Sequence, residues 1–229
     1  IISGVLKKPI KHARLIKAKP ELPIKAMDVE NLKNDINVSF HEKINYDKTK
    51  VRYLQLLLPA IANSAFASLD YSGLDALVNG EIIKARPSKS HSNQYKYSVE
   101  YIKSNQDFTH VNYDELRGTV SIKYPASIET FNLKQGETSH KATLDGLMVI
   151  LPIDDDIPYY VSFFDTRSIV ALDKNGRQIS YLDSDSWSRE AYKIFFWGEP
   201  YSVEIKRITK WIELTVPVNF NTNDLVFDK

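Results

Sequence analysis

The sequence predicts an all-β protein of two tandem antiparallel β-sandwiches that derive from an internal duplication, with an extended N-terminal leader. Residues 54–59 (LQLLLP) return as residues 147–152 (LMVILP), and further landmarks follow each copy in the same order. Between turn residues, apolar and polar side chains alternate with the period of a half-buried strand. The 13 Tyr and 10 Phe residues add strand preference, because aromatic side chains fit a pleated surface.

The duplication sets the expected domain boundaries, because a repeat has to be found before local elements are assigned. The later matches are residues 69–74 with 164–169, 76–82 with 171–179, 95–97 with 192–194, and 120–123 with 203–206. A period of about 90 residues is the size of an immunoglobulin- or fibronectin-III-type sandwich. We therefore expect a basic leader at residues 1–34, a first sandwich at 35–130 and a second sandwich at 131–229.

In the second copy, turn residues delimit about seven strands, the number typical of such a sandwich. The expected strands are residues 147–151, 159–164, 168–172, 178–182, 192–197, 202–208 and 211–218. The sequence DKNG at 173–176 is a hairpin signal, since Asn and Gly tolerate the positive φ of tight turns. In the last strand we expect Ile212, Leu214 and Val216 on the buried face.

In the first copy, residues 95–102 and 118–124 alternate cleanly and are expected to be strands. Residues 60–67 (AIANSAFA) have the Ala content of a helix. Their counterpart at 153–160 contains Pro158 and a run of Asp, so it cannot form a regular helix. The repeat therefore predicts a loop followed by a strand at 60–67.

The leader is basic and is interrupted by proline. Against the single acid Glu21, its first 25 residues carry Lys7, Lys8, Lys11, Arg14, Lys17, Lys19 and Lys25. Pro9, Pro20 and Pro23 cannot donate to a strand ladder, so we expect an extended edge or linker rather than a helix. Such an arm could contact a membrane surface, nucleic acid or an acidic partner, or it could lie solvated along the first sandwich.

Motifs favour a non-catalytic protein. The chain has no Cys, which excludes disulfides, thiolate catalysis and zinc–thiolate sites. The His residues lack metal-site spacing, and the sequence has neither a nucleophile elbow nor a phosphate-binding loop. Paired carboxylates of a glycoside hydrolase stay open, because acids distant in sequence can meet in the fold.

Composition and charge also limit the expected cellular location and the expected classes of partner. No apolar run approaches the ~20 residues of a membrane helix, so no membrane span is expected. Nucleic-acid binding is not expected either, because it needs a basic stripe on the folded body and the leader alone is basic. The chain starts at Ile1, as a processed chain would, and we expect an extracytoplasmic location: secreted, on a surface or periplasmic.

Acidic loops are a first candidate binding feature, because they lie where the two copies differ. The loop at 153–157 replaces the neutral residues 60–64, and the loop at 181–190 replaces the basic residues 84–91. Their carboxylates could supply oxygen ligands to Ca²⁺ if residues 159–172 form one bent strand; otherwise they are solvated loops, and no cofactor is expected. The residues concerned are Asp154, Asp155, Asp156, Asp183 and Asp185.

Aromatic residues are a second candidate feature, because ring faces can stack on sugars. Trp187 lies in a polar Ser/Asp loop and Tyr159 follows the other acidic loop, whereas Trp197 and Trp211 lie in expected strands, where a core role is favoured. We therefore expect a non-catalytic extracytoplasmic binding or scaffold protein of the adhesion or surface-assembly type, with a protein or glycan partner. The alternatives are a carbohydrate-binding module that uses the aromatics of the second copy, and a self-associating structural subunit. In the latter, the loops at 84–91 and 183–190 attract each other between neighbours.

Overall fold

A computed structural model describes residues 13–17, 22–91, 95–104, 106–153, 169–185 and 190–228, with the backbone alone at 90, 91 and 185. The protein is 59% strand with one α-helix in these ranges, so the all-β prediction is confirmed. The helix, α1, is Val29–Asp35, and 3-10 helices lie at Ala62–Phe66 and Thr222–Asp224. The strands are β1 Asn37–Ile44, β2 Lys50–Leu57, β3 Ser68–Asp70, β4 Leu74–Val78, β5 Glu81–Ile82, β6 Arg86–His91, β7 Lys96–Ile102, β8 Glu115–Lys134, β9 Thr138–Ser139, β10 Ala142–Asp145, β11 Met148–Pro152, β12 Ile169–Leu172, β13 Tyr181–Asp185, β14 Ala191–Phe196, β15 Ser202–Asn221 and β16 Leu225–Phe227.

The described chain forms two compact units, each with its own hydrophobic core. The first unit combines Leu22–Ser127 with the C-terminal residues from Lys210 onward. The second unit combines Ile128–Thr209 with residues 13–17 of the N-terminal segment. The chain changes unit three times, and two of these passages, at 127–128 and 209–210, lie inside the long strands β8 and β15 rather than in loops.

In the first unit, one sheet has the strand order β16-β1-β2-β7-β6. Strand β16 runs parallel to β1, with Leu225 opposite Phe40, and the remaining neighbours are antiparallel. The other strands of this unit follow the order β15-β8-β4-β5, with β3 also paired to β8. Its core includes the fully buried Phe40, Leu54 and Leu116.

In the second unit, an antiparallel sheet has the order β13-β14-β11-β10-β9. Strand β12 pairs with β15, with Ile169 opposite Ile205. The turn predicted at 173–176 follows β12 and is confirmed: the Gly176 N–H donates to the Asp173 carbonyl at 2.9 Å, and Gly176 has φ +74°.

Strand β15 shows how alternation in the sequence maps to burial. Val203 and Ile205 are buried in the core of the second unit. Further along, Ile212 and Leu214 are buried and Val216 is half-buried in the first unit, which confirms the face predicted for this strand. Buried positions are odd-numbered at the start of β15 and even-numbered at its end, so the period-2 pattern is interrupted once within a continuous strand.

Helix α1 corrects the prediction that the leader is extended through residue 34. Asp28 caps the helix, since its Oδ1 accepts a hydrogen bond from the Asn31 N–H at 2.8 Å. Leu32 is fully buried in the core of the first unit. The helix has seven residues, which is too short for a clear 3.6-residue period, so the sequence pattern did not reveal it.

The Ala-rich segment corrects a second prediction. The repeat predicts a loop and then a strand over residues 60–67, whereas Ala62–Phe66 forms a 3-10 helix and β3 begins at Ser68. Asn63 in this helix is fully buried, and its Oδ1 accepts from the Lys25 N–H at 3.1 Å. Its Nδ2 donates to the carbonyls of Lys25 and Pro125, each at 2.9 Å. The buried hydrogen bonds of Asn63 therefore hold this 3-10 helix in place. A comparison of the two copies could not predict them.

Candidate functional site

Of the residues predicted from the acidic and aromatic loops, Asp183 alone has a described side chain. It is exposed on β13, and its Oδ1 accepts a hydrogen bond from the Ser184 N–H at 2.8 Å. The backbone of Asp185 ends β13 opposite Lys193. The other predicted site residues, Trp187, Asp154, Asp155, Asp156 and Tyr159, lie outside the described residues, as does most of the segment on which the Ca²⁺ geometry depends.

Trp211 and Trp197 are half-buried rather than fully buried. Trp211 lies on β15 in the first unit, with the Lys123 ammonium 5.1 Å from its ring centroid, a cation–π distance. Lys123 also lies 4.0 Å from the Glu213 carboxylate. The Lys123 ammonium thus lies over one face of the Trp211 ring.

An open depression at the loop end of the first unit contains both polar groups and an exposed ring. It has a volume of about 720 Å³, and residues of the β1–β2 hairpin and of the loop before β8 line it: Asn45, Asp47, Thr49, Lys50, Gln106, Asp107, Phe108, Thr109, His110 and Asn112. We call it the loop-end depression. Hydroxyl, amide, carboxylate and imidazole groups line it, which is the mixture that hydrogen-bonds to a polyhydroxylated ligand.

The same local device shapes both walls of the loop-end depression. In one wall, Asp47 Oδ1 accepts from the Thr49 N–H at 2.9 Å and from the Thr49 hydroxyl at 2.6 Å. In the other, Asp107 Oδ1 accepts from the Thr109 N–H at 2.9 Å and from the Thr109 hydroxyl. These Asp turns hold each carboxylate against its own backbone, so the polar groups of the two walls are locally preorganised.

Both carboxylates are charged at neutral pH. The hydroxyl and N–H donors of Thr49 lower the pKa of Asp47 below its ordinary value. The matching donors of Thr109 lower the pKa of Asp107 in the same way. Each therefore presents an acceptor with remaining lone pairs to whatever enters the depression.

Exposed apolar rings stand beside these polar groups. Phe108 lines the depression and is 70% exposed, although it is a large apolar residue. Tyr46, on the opposite hairpin, is fully exposed. Exposed aromatic faces next to fixed polar groups are typical of recognition surfaces, because the ring packs on an apolar face while the polar groups set orientation.

A second polar arrangement, the His41 cluster, consists of Ser39, His41, Tyr53 and Asp228. His41 Nε2 lies 2.8 Å from Ser39 Oγ, and His41 Nδ1 lies 3.0 Å from Asp228 Oδ1. The Tyr53 hydroxyl donates to Asp228 Oδ2, and the Tyr53 ring stacks on His41 with centroids 5.1 Å apart. Four side chains from β1, β2 and the C-terminal residues thus form one network.

The electrostatics of the His41 cluster centre on Asp228. Partial burial raises the pKa of Asp228, but hydrogen bonds from Tyr53 and His41 outweigh it, and the net pKa is below the ordinary value. Burial and the bond to Asp228 together raise the pKa of Tyr53 well above its ordinary value. The cluster therefore holds a charged carboxylate and a neutral phenol.

Ser39, His41 and Asp228 follow the order of a hydrolytic triad, yet their surroundings favour a structural role. Catalysis of that kind needs backbone N–H groups aimed at a developing oxyanion. Around His41, β1 pairs with β2 on one side and with β16 on the other, so its N–H groups serve ladders. The Asp228 N–H itself donates to the Glu42 carbonyl at 3.0 Å. The cluster fastens the C-terminal residues to β1.

No protein-family model matches this chain, no curated protein matches its sequence, and no solved structure matches its fold. Within the described ranges, no helix combines the length and apolar character that crossing a membrane requires. The same ranges contain no group of three or more His, Asp or Glu side chains arranged to hold a metal ion.

Sequence reasoning missed both the loop-end depression and the His41 cluster. The depression did carry a signal: the pattern Asp-x-Thr occurs at 47–49 and again at 107–109, the second time around an apolar Phe108 in a polar loop. The pattern Ser-x-His at 39–41 places two polar side chains on one strand face. Nothing in the sequence pairs His41 with Asp228, which lies 187 residues further along.

Proposed function

We propose that this protein is a non-catalytic binding or scaffold protein that acts outside the cytoplasm, in adhesion or surface assembly. We further propose that its chain consists of two tandem sandwiches of immunoglobulin or fibronectin-III type derived by duplication. The all-β architecture and the separate hydrophobic core of each unit support this reading. In such folds, loops at one end of a sandwich commonly carry the binding residues.

The observation that carries the binding role is the loop-end depression of the first unit. Its walls present preorganised Asp and Thr groups, and Phe108 offers an exposed ring between them. A glycan fits this chemistry, because sugar hydroxyls pair with carboxylates and amides while the C–H face of a sugar ring packs on an aromatic ring. The proposed ligand class is therefore carbohydrate.

A glycan array probed with the full chain tests this proposal. We expect a glycan signal that Phe108→Ala reduces about tenfold, the loss expected when about 1.4 kcal/mol of ring contact is removed. Phe227→Ala is the matched control, because Phe227 is 69% exposed but does not line the depression. An array without signal for the wild-type chain, or equal losses in both variants, would overturn the glycan assignment at this site.

The second copy keeps its own candidate, Trp187 with Tyr159. On the same array, a loss of signal in Trp187→Ala with retention in Phe108→Ala would move the carbohydrate site to the second copy. Calcium at the acidic loops is tested separately: a ligand that binds the native state raises the thermal midpoint, so added CaCl₂ should raise it in wild type and not in Asp155→Asn. An unchanged midpoint in wild type contradicts a Ca²⁺ site.

Self-association through oppositely charged loops is the other proposed role. The structure corrects the prediction of two loops: most of the basic segment is strand β6 (Arg86–His91), and the acidic segment begins with strand β13 (Tyr181–Asp185). In the basic segment, Lys84 and Arg86 are exposed, while the Lys89 ammonium donates to the Leu69 carbonyl at 2.8 Å. Asp183 on β13 is exposed. Because salt screens exposed charges, light scattering should show a larger species at low ionic strength that disappears at high salt. A monomer at every ionic strength would contradict the charge-driven contact.

A further inference from the structure

Residues 13–17 bind to the second unit through a β-bridge, with Leu15 opposite Ile179, and through main-chain hydrogen bonds on either side of it. The Arg14 N–H donates to the Trp197 carbonyl at 2.7 Å, and the Ile16 N–H donates to the Gln178 carbonyl at 3.0 Å. The Ser180 N–H donates back to the Arg14 carbonyl at 2.7 Å. This is the pattern of strand addition, in which an extended peptide completes the edge of a sheet. We call residues 13–17 the arm segment and the residues that bind it the seat.

The seat has one contact that selects what can occupy it. Gly198 has φ +129°, a conformation that side-chain-bearing residues rarely adopt. A Cβ atom placed on Gly198 would lie 2.5 Å from the Ala13 Cβ and 2.7 Å from the Ala13 Cα. The backbone of the arm segment therefore approaches the seat at a point that glycine alone leaves open. A side chain at position 198 would therefore displace the arm segment from the seat.

The side chains of the arm segment are only partly covered. Leu15 is 38% exposed and Ile16 is 39% exposed. Opposite Leu15, Ile179 is buried in the core of the second unit. Three main-chain hydrogen bonds hold the segment, and a short terminal segment of this kind opens at a lower cost in free energy than the unit as a whole.

The path of the chain leaves the arm segment able to bind either the seat of its own copy or the seat of a second copy. After the arm segment, the chain builds Leu22–Ser127 of the first unit before it returns to the second unit at Ile128. The segment is therefore joined to its seat through a whole folded unit and has no neighbour in sequence there. A seat on a second copy offers the same hydrogen bonds, so exchange costs no contacts.

We propose that the arm segment of one copy binds the seat of a second copy, so that two copies exchange residues 13–17 and associate. This inference specifies the self-association proposed above through a different surface from the charged loops, and it does not depend on glycan binding. The partner is a second copy of this chain, and the recognised element is its residues 13–17. The extent of association should rise with protein concentration and change little with salt, because main-chain hydrogen bonds hold the segment.

Disulfide trapping tests the exchange cleanly, because the chain has no Cys of its own. The hydrogen bonds flank the Leu15–Ile179 bridge, which makes it a non-hydrogen-bonded antiparallel pair. Such pairs have Cα atoms about 4.5 Å apart, within the range that a disulfide spans. The double variant Leu15→Cys/Ile179→Cys should therefore close a disulfide on oxidation, which establishes the seat.

The decisive experiment mixes two single variants, Leu15→Cys and Ile179→Cys, before oxidation. Exchange predicts a covalent dimer of one chain of each kind, seen by intact mass and increasing with concentration. The matched control replaces Leu15→Cys by Ile24→Cys, since Ile24 is 37% exposed and lies in the same N-terminal stretch but outside the seat. A mixed dimer no more abundant than with Ile24→Cys overturns the proposal.

A second measurement keeps the proposal testable if Ile179→Cys folds poorly. Native mass spectrometry of isotope-labelled and unlabelled full chains should show mixed dimers that Gly198→Ala removes. Gly176→Ala is the control, because Gly176 also has a positive φ but nothing lies within 4 Å of a Cβ placed there. Mixed dimers that survive Gly198→Ala, or the absence of mixed dimers in the wild-type chain, would contradict strand exchange. Salt-sensitive dimers alone would instead favour the charged loops.

Discussion

The C-terminal strand β16 and the N-terminal residues 13–17 both attach an end of the chain by main-chain hydrogen bonds, and they are held in contrasting ways. Strand β16 has a parallel ladder to β1, and Asp228 just beyond it enters the His41 cluster. Residues 13–17 have main-chain hydrogen bonds to the second unit and exposed side chains at Leu15 and Ile16. The first attachment combines a ladder with a side-chain hydrogen-bond network, while the second has a single β-bridge and no such network among its described contacts.

The contrast indicates which end of the chain can exchange between two copies. A main-chain hydrogen bond contributes about 0.5–1.5 kcal/mol net, so a short ladder by itself is easily opened. Buried side-chain networks cost more to break, because each partner left behind stays desolvated and unpaired. We therefore expect β16 to stay with its own chain and residues 13–17 to exchange. The expected losses of stability decrease from the buried amide of Asn63, through the side-chain network at β16, to residues 13–17.

The largest effect is expected where a buried amide holds the segment that follows the arm. Asn63→Ala removes three hydrogen bonds and leaves the Lys25 and Pro125 backbone groups unpaired. We expect a loss of about 3 kcal/mol in the free energy of unfolding, measured by urea denaturation. Asn219→Ala, at an exposed position on β15, should change it by less than about 0.5 kcal/mol. Similar values for both variants would show that Asn63 is not an anchor.

The next effect concerns the side-chain fastening of β16. Tyr53→Phe removes the donor to Asp228 and keeps the ring that stacks on His41. We expect a loss of about 1–2 kcal/mol, the usual worth of a hydrogen bond to a charged group, and faster amide exchange at Leu225–Phe227. Tyr46→Phe, at a fully exposed ring, is the control and should change neither quantity. Unchanged exchange in β16 would show that the ladder alone is sufficient.

Acidification should weaken the same attachment. The pKa of Asp228 is lowered in the folded protein, so its stabilisation is complete above the unfolded value of about 3.9 and is lost as pH falls through the folded pKa. Urea denaturation between pH 6 and pH 3 should therefore show a larger loss for wild type than for Asp228→Asn. Parallel pH profiles for the two proteins would contradict the role of this carboxylate.

The smallest effect on global stability is expected at the arm segment. Gly198→Ala should release residues 13–17, so the amides of Ile16 and Ser180 lose their protection from hydrogen exchange. The free energy of unfolding should change by no more than about 1 kcal/mol beyond the change in Gly176→Ala, because the core does not depend on the segment. A cooperative loss of protection throughout the second unit would show instead that the arm is part of its folding unit.

Alternation and turn chemistry made much of the strand content predictable. The face of β15 that buries Ile212 and Leu214 followed from a period of two, and the turn ending at Gly176 followed from its Asn-Gly pair. The short helix α1 was missed because seven residues are too few for a clear period. At Ala62–Phe66, the comparison with the second copy replaced the helix that the Ala content indicates by a loop and a strand, whereas the structure has a 3-10 helix with Asn63 buried in it.

The candidate site was the less predictable part, because it depends on which loops meet. Asp47 and Asp107 each form a recognisable local turn, but the sequence does not state that the two turns line one depression. Attention to differences between the copies pointed to Trp187 and the acidic loops instead, and those predictions remain to be tested by the array and the Ca²⁺ titration. A comparison of two repeats reveals only positions that align and differ between the copies. It cannot reveal a site in one copy whose residues have no aligned counterpart in the other.

By itself, the sequence determined that the chain is all-β, where its turns fall and which face of a strand is apolar, because these properties depend on neighbours in the chain. The tertiary structure alone decided that the C-terminal residues join the first unit beside β1, and that residues 13–17 join the second. The physical reason is that a strand's side-chain period specifies its face, whereas its ladder is made of backbone groups that are nearly the same in every residue. The choice of partner for each end of the chain therefore rests on contacts such as His41 with Asp228 and Ala13 with Gly198, which only folding brings together.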